Sequence, residues 1–212
     1  MRRTGGLREG AAAAEAETRF QAEVERQTQM MIRENARILL LQTKLSQVRA
    51  ELQQAMAEET QGEVRDYAFA TSKGPAMLSS LFGKKRDLLM IHNMGTHCSS
   101  CTMWADGFNG LYPHVADRAS FVVSSPNSPE EQAAFAASRG WVFPMVSTQG
   151  TRFAADMGFE NAKGLAMPGV SAFQKQDGRI VRVSAAGFDS GDEYCSVWRL
   201  FDLLPRGVGG GR

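Results

Sequence analysis

Two cysteines, Cys98 and Cys101, stand three positions apart in the stretch His97-Cys98-Ser99-Ser100-Cys101-Thr102-Met103-Trp104. The apolar run Leu88-Leu89-Met90-Ile91 upstream reads as a buried strand, and a helix is expected to begin at the pair. A strand feeding C-x-x-C at a helix start suits dithiol–disulfide chemistry. The first sulfur then lies at the helix N-terminus, where orphan N–H groups and the positive dipole end favour a thiolate. The second lies one turn further in, close enough to close a disulfide. Cys98 is the expected attacking residue and Cys101 the resolving one. Attack on a substrate disulfide gives a mixed disulfide, and resolution leaves Cys98–Cys101 oxidised. Ser99 and Ser100 are small, and the N–H groups between the cysteines face the first sulfur.

Neighbouring residues offer further chemistry, each with a plainer alternative. An imidazolium at His97 would favour the Cys98 thiolate; otherwise His97 is a solvent-facing loop residue. His92 and His97 with the two cysteines would satisfy a tetrahedral zinc site in number. The spacing does not match a standard finger and His92 belongs to the strand, so no metal and no cofactor is expected. Trp104, three residues beyond Cys101, shares its helix face and either shields a disulfide or packs in the core. Asp106 is a candidate proton acceptor for the resolving thiol, with an exposed or capping carboxylate as the more ordinary role. Cys195 reads as a buried free cysteine rather than a resolving one.

Bulk properties narrow the partners. The 212 residues carry 24 Lys and Arg against 23 Asp and Glu, a net charge of +1, which argues against a nucleic-acid binder. No run approaches the length of a membrane span, residues 36–42 coming nearest. The N-terminus, Met1-Arg2-Arg3 followed by Gly, Glu and Ala, lacks the apolar region of a secretory signal. Three cysteines make no disulfide framework, so a reducing cytoplasm is the expected location.

Residues 1–16, rich in Gly, Ala and Arg, are expected to be disordered. Residues 17–60 form a long helix free of Gly and Pro from Thr18 to Glu59. Ile38, Leu41, Leu45, Val48 and Leu52 alternate spacings of three and four along it, a short coiled-coil seam open to a homodimer or to packing on the globular domain. The compact domain occupies 62–205, and 206–212 is a flexible tail. Within the domain the expected order is strand 67–69, a helical turn 77–82, strand 88–92, helix 99–115, strand 121–124, a helix from Pro129 to Gly140, and strand 142–146. Strands 170–174 and 180–184 then pair across Gln176-Asp177-Gly178, and a helix over 192–204 closes the chain with Val197, Trp198, Phe201 and Leu204 on one side. Ser128 is the expected N-cap of the helix opened by Pro129, and Pro113 is expected to kink or end the dithiol helix.

The block Cys98-Ser-Ser-Cys101-Thr-Met-Trp104-Ala-Asp106-Gly107-Phe108-Asn109-Gly110 resembles the signature of a thioredoxin-like family known as domain of unknown function 899, described as predicted dithiol–disulfide oxidoreductases. The segments Gly140-Trp141-Val-Phe143-Pro144-Met-Val-Ser147, Pro168-Gly169-Val170-Ser171-Ala-Phe173 and Leu200-Phe-Asp202-Leu-Leu204-Pro205 extend the resemblance over residues 60–205. Phe143-Pro144 and Pro168 are also similar to the peroxiredoxin branch of the superfamily. The resemblance implies an α/β thioredoxin-like fold, a central mixed sheet flanked by helices, here preceded by the long N-terminal helix. It also implies that Pro168 is cis, faces the dithiol, and leaves the preceding backbone free to pair with an extended substrate.

Three functions follow. The favoured one is a thiol–disulfide oxidoreductase acting on a disulfide-containing protein or a small thiol substrate and recycled by an external thiol reductant. A thiol peroxidase with Cys98 as the peroxidatic residue is the second. Against it, the P-x-x-x-T-x-x-C pattern of peroxiredoxins is absent: Thr96 stands two positions before Cys98, and no proline precedes it nearby. The third is a non-catalytic module dimerising through the N-terminal helix.

Overall fold

The computed structural model describes residues 17–26, 28, 36–60 and 62–207. The expected disorder of residues 1–16 and the tail beyond 207 lie outside them. Residues 17–26 are helical, and helix α1 spans Ala36–Thr60. The apolar seam positions Ile38, Leu41, Leu45, Val48 and Leu52 are all exposed. The chain falls into two units, one ending at Gln54 and the other beginning at Ala55. No helix among the described residues is long and apolar enough to cross a membrane.

The second unit is built on an 8-stranded mixed sheet. Its strands are β1 (Gly62–Val64), β2 (Ala68–Thr71), β3 (Gly74–Met77), β4 (Asp87–His92), β5 (Ser120–Ser125), β6 (Met145–Ser147), β7 (Gly169–Gln176) and β8 (Arg179–Gly187), in spatial order β1-β8-β7-β4-β5-β6-β2-β3. Strand β4 lies between β5, its parallel neighbour, and β7, antiparallel. Its helices are α2 (Leu78–Leu81), α3 (Ser99–Arg118), α4 (Pro129–Arg139), α5 (Phe153–Asp156) and α6 (Ser196–Phe201). Helix α3 carries the chain from β4 to β5 and α4 carries it from β5 to β6, both parallel pairs. The architecture is thioredoxin-like, as the sequence led us to expect.

The middles of β4 and β5 are continuously apolar, and both of their faces are covered. Leu88 and Met90 of β4 join Val122 of β5 in a core with Phe69, Leu78, Phe153 and Phe173. Ile91, Phe121 and Val123 point the other way, into a core with Trp104, Trp141, Phe143 and Trp198. Two-residue periodicity thus divides one apolar run between two cores. The β7–β8 hairpin turns at Asp177 and Gly178, both with positive φ (49° and 79°), the conformation an Asp-Gly turn supplies.

Several elements depart from the sequence reading. Pro113 does not end α3, which continues to Arg118. The amide that proline lacks is outweighed by Tyr112 and Val115 packing on the core and by Arg118 pairing with Asp87 at 2.6 Å. The expected strand over 142–146 is instead Met145–Ser147, because the Val142 N–H is taken by Asn109 Oδ1 at 2.8 Å rather than by a neighbouring strand. The last helix holds only Ser196–Phe201, since Asp192 spends its carboxylate on the N–H groups of Tyr194 and Cys195. Leu204 consequently lies past the helix end and exposed. Strands β1 and β3 and helix α5 had no clear sequence signal.

Candidate dithiol site

After His92 the chain leaves β4 through Asn93-Met94-Gly95-Thr96-His97 and enters α3 with Cys98 as its N-cap residue. Cys98 Sγ accepts the N–H of Cys101 at 3.1 Å, so the sulfur sits over the helix N-terminus as expected. The Cys98 carbonyl accepts from the Thr102 hydroxyl and amide, each at 3.0 Å, closing the first turn. Cys98 is half-buried, whereas Cys101 is 3% exposed. Burial, reinforced by the hydrogen bond with Cys98, pushes the Cys101 thiol up to about 12. All three cysteines are free thiols.

The flanking candidates divide into near and far. His97 is exposed beside the pair. Trp104 is buried, its ring 5.3 Å from Phe188 and edge-on to Trp198 at 6.3 Å, so it packs in the core. Asp106 turns to the opposite partner from the one a proton acceptor would need. Arg139 Nε donates to its Oδ1 at 3.2 Å, a second guanidinium nitrogen bonds Oδ2, and Trp141 Nε1 donates to Oδ1 at 2.8 Å. Burial raises its affinity for a proton, but those donors outweigh it and hold the carboxyl below its ordinary range. One turn along, Asn109 accepts from Val142 N–H at 2.8 Å and donates to the Gly140 carbonyl at 3.1 Å. The polar residues of the signature block therefore clamp α3 to the segment after α4.

Pro168 corrects the sequence reading. The described residues contain no cis peptide bond, so Met167–Pro168 is trans, the lower-energy form of an X–Pro bond. Nor is the preceding amide free: Met167 N–H donates to the Phe159 carbonyl at 2.8 Å, and the Pro168 carbonyl accepts from Phe188 at 3.0 Å. Strand register pairs Gly169 with His92, which places Pro168 at the end of the sheet from which the dithiol loop departs. An open groove lined by Phe159, Met167, Pro168, Ala185 and Phe188 lies there.

His92 is a core residue. Its Nε2 is 2.9 Å from the Ser171 hydroxyl, and its ring stacks on Phe159 at 3.8 Å. Burial drives it down to about 3, with Arg182 adding to the effect, so the ring is neutral. Cys195 is buried at the N-cap of α6, and burial raises its thiol. Sequence reasoning missed Asn93 and Asn127. Asn93 Oδ1 accepts the Gly95 amide at 2.8 Å, and Asn127 Oδ1 accepts the Thr96 amide at 3.1 Å. Asn two residues before Gly95 was a readable turn signal; Asn127 had none.

A family model described as "Bacterial protein of unknown function (DUF899)" matches residues 15–210. A search of curated proteins returns no match. Among solved structures, peroxidoxin BcpB from Mycobacterium tuberculosis is 27% identical with a TM-score of 0.50, over 60% of this chain and 84% of that one. A peroxiredoxin Q structure from Xanthomonas campestris is 17% identical with a TM-score of 0.52, covering 65% and 90%. AhpC of Enterococcus faecalis is 15% identical with a TM-score of 0.52, covering 68% and 90%. The latter two share the fold.

Proposed function

Because the chain belongs to the bacterial DUF899 family, whose description assigns no activity, we propose that it is a thiol–disulfide oxidoreductase working through Cys98 and Cys101. The observation that carries this reading is the asymmetry of the pair: a half-buried cysteine whose sulfur caps a helix N-terminus and a buried thiol one turn behind it. The Cys98 thiolate attacks one sulfur of a substrate disulfide, the S–S bond breaks, and half of the substrate leaves as thiolate. Cys101 gives its proton to that leaving thiolate and attacks Cys98 Sγ, releasing the other half, which takes a proton from solvent. The protein dithiol gives up two electrons and the substrate gains them; an external thiol reverses the change. Burial first, and the Cys98 sulfur after it, keep Cys101 a thiol in the reduced pair; once Cys98 is tied up in the mixed disulfide its charge is gone, and Cys101 loses its proton more easily. With the Met167 amide already bonded to the Phe159 carbonyl, strand pairing to that amide is closed to a substrate. A disulfide-containing protein and a small disulfide are both candidate substrates.

A thiol peroxidase is the second reading, favoured by the likeness to a peroxidoxin at 27% identity. There the Cys98 thiolate attacks the O–O bond of a hydroperoxide, becomes a sulfenic acid and releases an alcohol, and Cys101 condenses with it to a disulfide and water.

Cys101→Ser separates the two. With a disulfide substrate, this variant should accumulate a mixed disulfide on Cys98, visible as an added mass, and Cys98→Ser should form none. A Cys101→Ser protein that forms no adduct with disulfides yet is oxidised at Cys98 by hydroperoxide would replace the first reading with the second.

A further inference from the structure

The loop that presents Cys98 is held from outside its own segment. Asn93 starts it: its N–H donates to the Ser124 carbonyl at 2.9 Å and its Oδ1 takes the Gly95 amide. The next peptide unit, Gly95–Thr96, is gripped at both ends. Its N–H donates to Asn127 Oδ1 at 3.1 Å, and its carbonyl accepts the N–H of Cys98 at 3.1 Å. A donor engaged at one end of a peptide polarises the acceptor at the other, so the two bonds strengthen each other. Asn127 comes so close that a Cβ at Gly95, where φ is +108°, would stand 2.7 Å from its Oδ1. Residue 95 must therefore be glycine for this contact to exist.

Asn127 is itself fixed. Its Nδ2 donates to Glu131 Oε2 at 3.3 Å, and its main-chain carbonyl accepts the Ser147 hydroxyl at 2.7 Å. Glu131 Oε2 also accepts the Ser128 amide at 2.9 Å. The Ser128 amide foremost, and Asn127 after it, hold the Glu131 carboxyl below its ordinary range. A continuous chain of hydrogen bonds thus runs from the cap of α4 to the amide of the nucleophile.

We propose that Asn127 is a positioning residue for the dithiol. Through the Gly95–Thr96 peptide it sets where Cys98 Sγ stands over the start of α3, and through Glu131 it ties that position to α4. The inference rests on Cys98 being the nucleophile.

The test follows the rate of Cys98 alkylation by iodoacetamide against pH, read at that residue by mass spectrometry, together with the thermal midpoint of each variant. Asn127→Ala should slow Cys98 about tenfold, the equivalent of one hydrogen bond, and move the profile to higher pH. The double variant Asn127→Asp with Glu131→Gln exchanges donor and acceptor between the two side chains, keeps the Thr96 contact, and, at an ionic strength that screens the relocated carboxylate, should recover most of the wild-type rate. Should Asn127→Ala not fold, Asn127→Asp alone, with two facing carboxylates, takes its place and should react more slowly than the exchange variant. The proposal is overturned if the alanine profile superimposes on wild type, or if the exchange variant reacts no faster than the single one. A wild-type Cys98 inert to alkylation at every pH would instead remove the nucleophile assignment, an outcome distinct from a failure of Asn127.

Discussion

Helices α3 and α4 leave adjacent parallel strands of one sheet, and each begins with a side chain accepting the N–H three residues on. At α4 that terminus is saturated. Ser128 Oγ takes the Glu131 amide, the Glu131 carboxylate takes the Ser128 amide, Pro129 fills the first position, and Glu130 and Glu131 face the dipole. At α3 the acceptor is a sulfur and the first turn holds no acid. Sulfur is a weak acceptor, so the field of α3 is left for a charge that arrives with chemistry. One helix start completes the fold, and the other, on the function proposed above, keeps its capacity for the reaction.

The same third helical position carries Cys101 in α3 and Glu131 in α4, and the two titrate in opposite senses. Glu131 is held low, so its folded form prefers the charge, and its contribution is lost as pH falls through that lowered value. Cys101 is raised from 9.0 to about 12, so its folded form prefers the proton. Its contribution is complete below the unfolded value and is lost as pH rises through the interval up to about 12. Denaturant unfolding at increasing alkaline pH should show stability falling on the order of 1 kcal/mol per pH unit more steeply in wild type than in Cys101→Ala. Parallel slopes in the two proteins would mean that Cys101 is not buried as a thiol.

Importing the chemistry of α4 into α3 should cost reactivity. Ser100 occupies the position that Glu130 holds in α4. In Ser100→Glu a fixed negative charge competes with the Cys98 thiolate for the same helix end, and Cys98 alkylation should slow roughly tenfold at low ionic strength, with the difference shrinking in salt. An unchanged rate would show that the α3 terminus does not govern Cys98.

The contrast also marks what the sequence disclosed. The cap of α4 was legible because its partners, Ser128, Pro129 and Glu131, are neighbours in the chain. The placement of Cys98 at the start of α3 was legible for the same reason, as was β4, whose apolar run meets cores on both faces. Contacts across the fold left no local trace. Asn127 reaches Thr96 over 31 positions, and Asp106 reaches Arg139 and Trp141 over 33 and 35. Two motifs that read separately, the W-A-D-G-F-N-G block and Gly140-Trp141-Val142, proved to be each other's partners. The last helix is shorter than its composition predicts, because composition alone does not show that Asp192 is occupied capping a turn.

The smallest effect is the sharpest discriminator between the two helix starts. Ser128→Ala removes a hydroxyl cap and should lower stability by about 1 kcal/mol, with Cys98 reactivity nearly intact. Cys98→Ser replaces a weak acceptor with a preferred one in a backbone already extended for capping, φ −90° and ψ 103°. That variant should gain about 0.5 kcal/mol while losing all dithiol chemistry, because a serine hydroxyl accepts the Cys101 amide better than sulfur does. Denaturant titrations of the three proteins measure both changes. If Cys98→Ser were destabilised as much as Ser128→Ala, the sulfur would be a structural cap and the two helix starts would not differ in kind. A gain in stability with a loss of chemistry is the sign of a residue retained at this position for its reactivity.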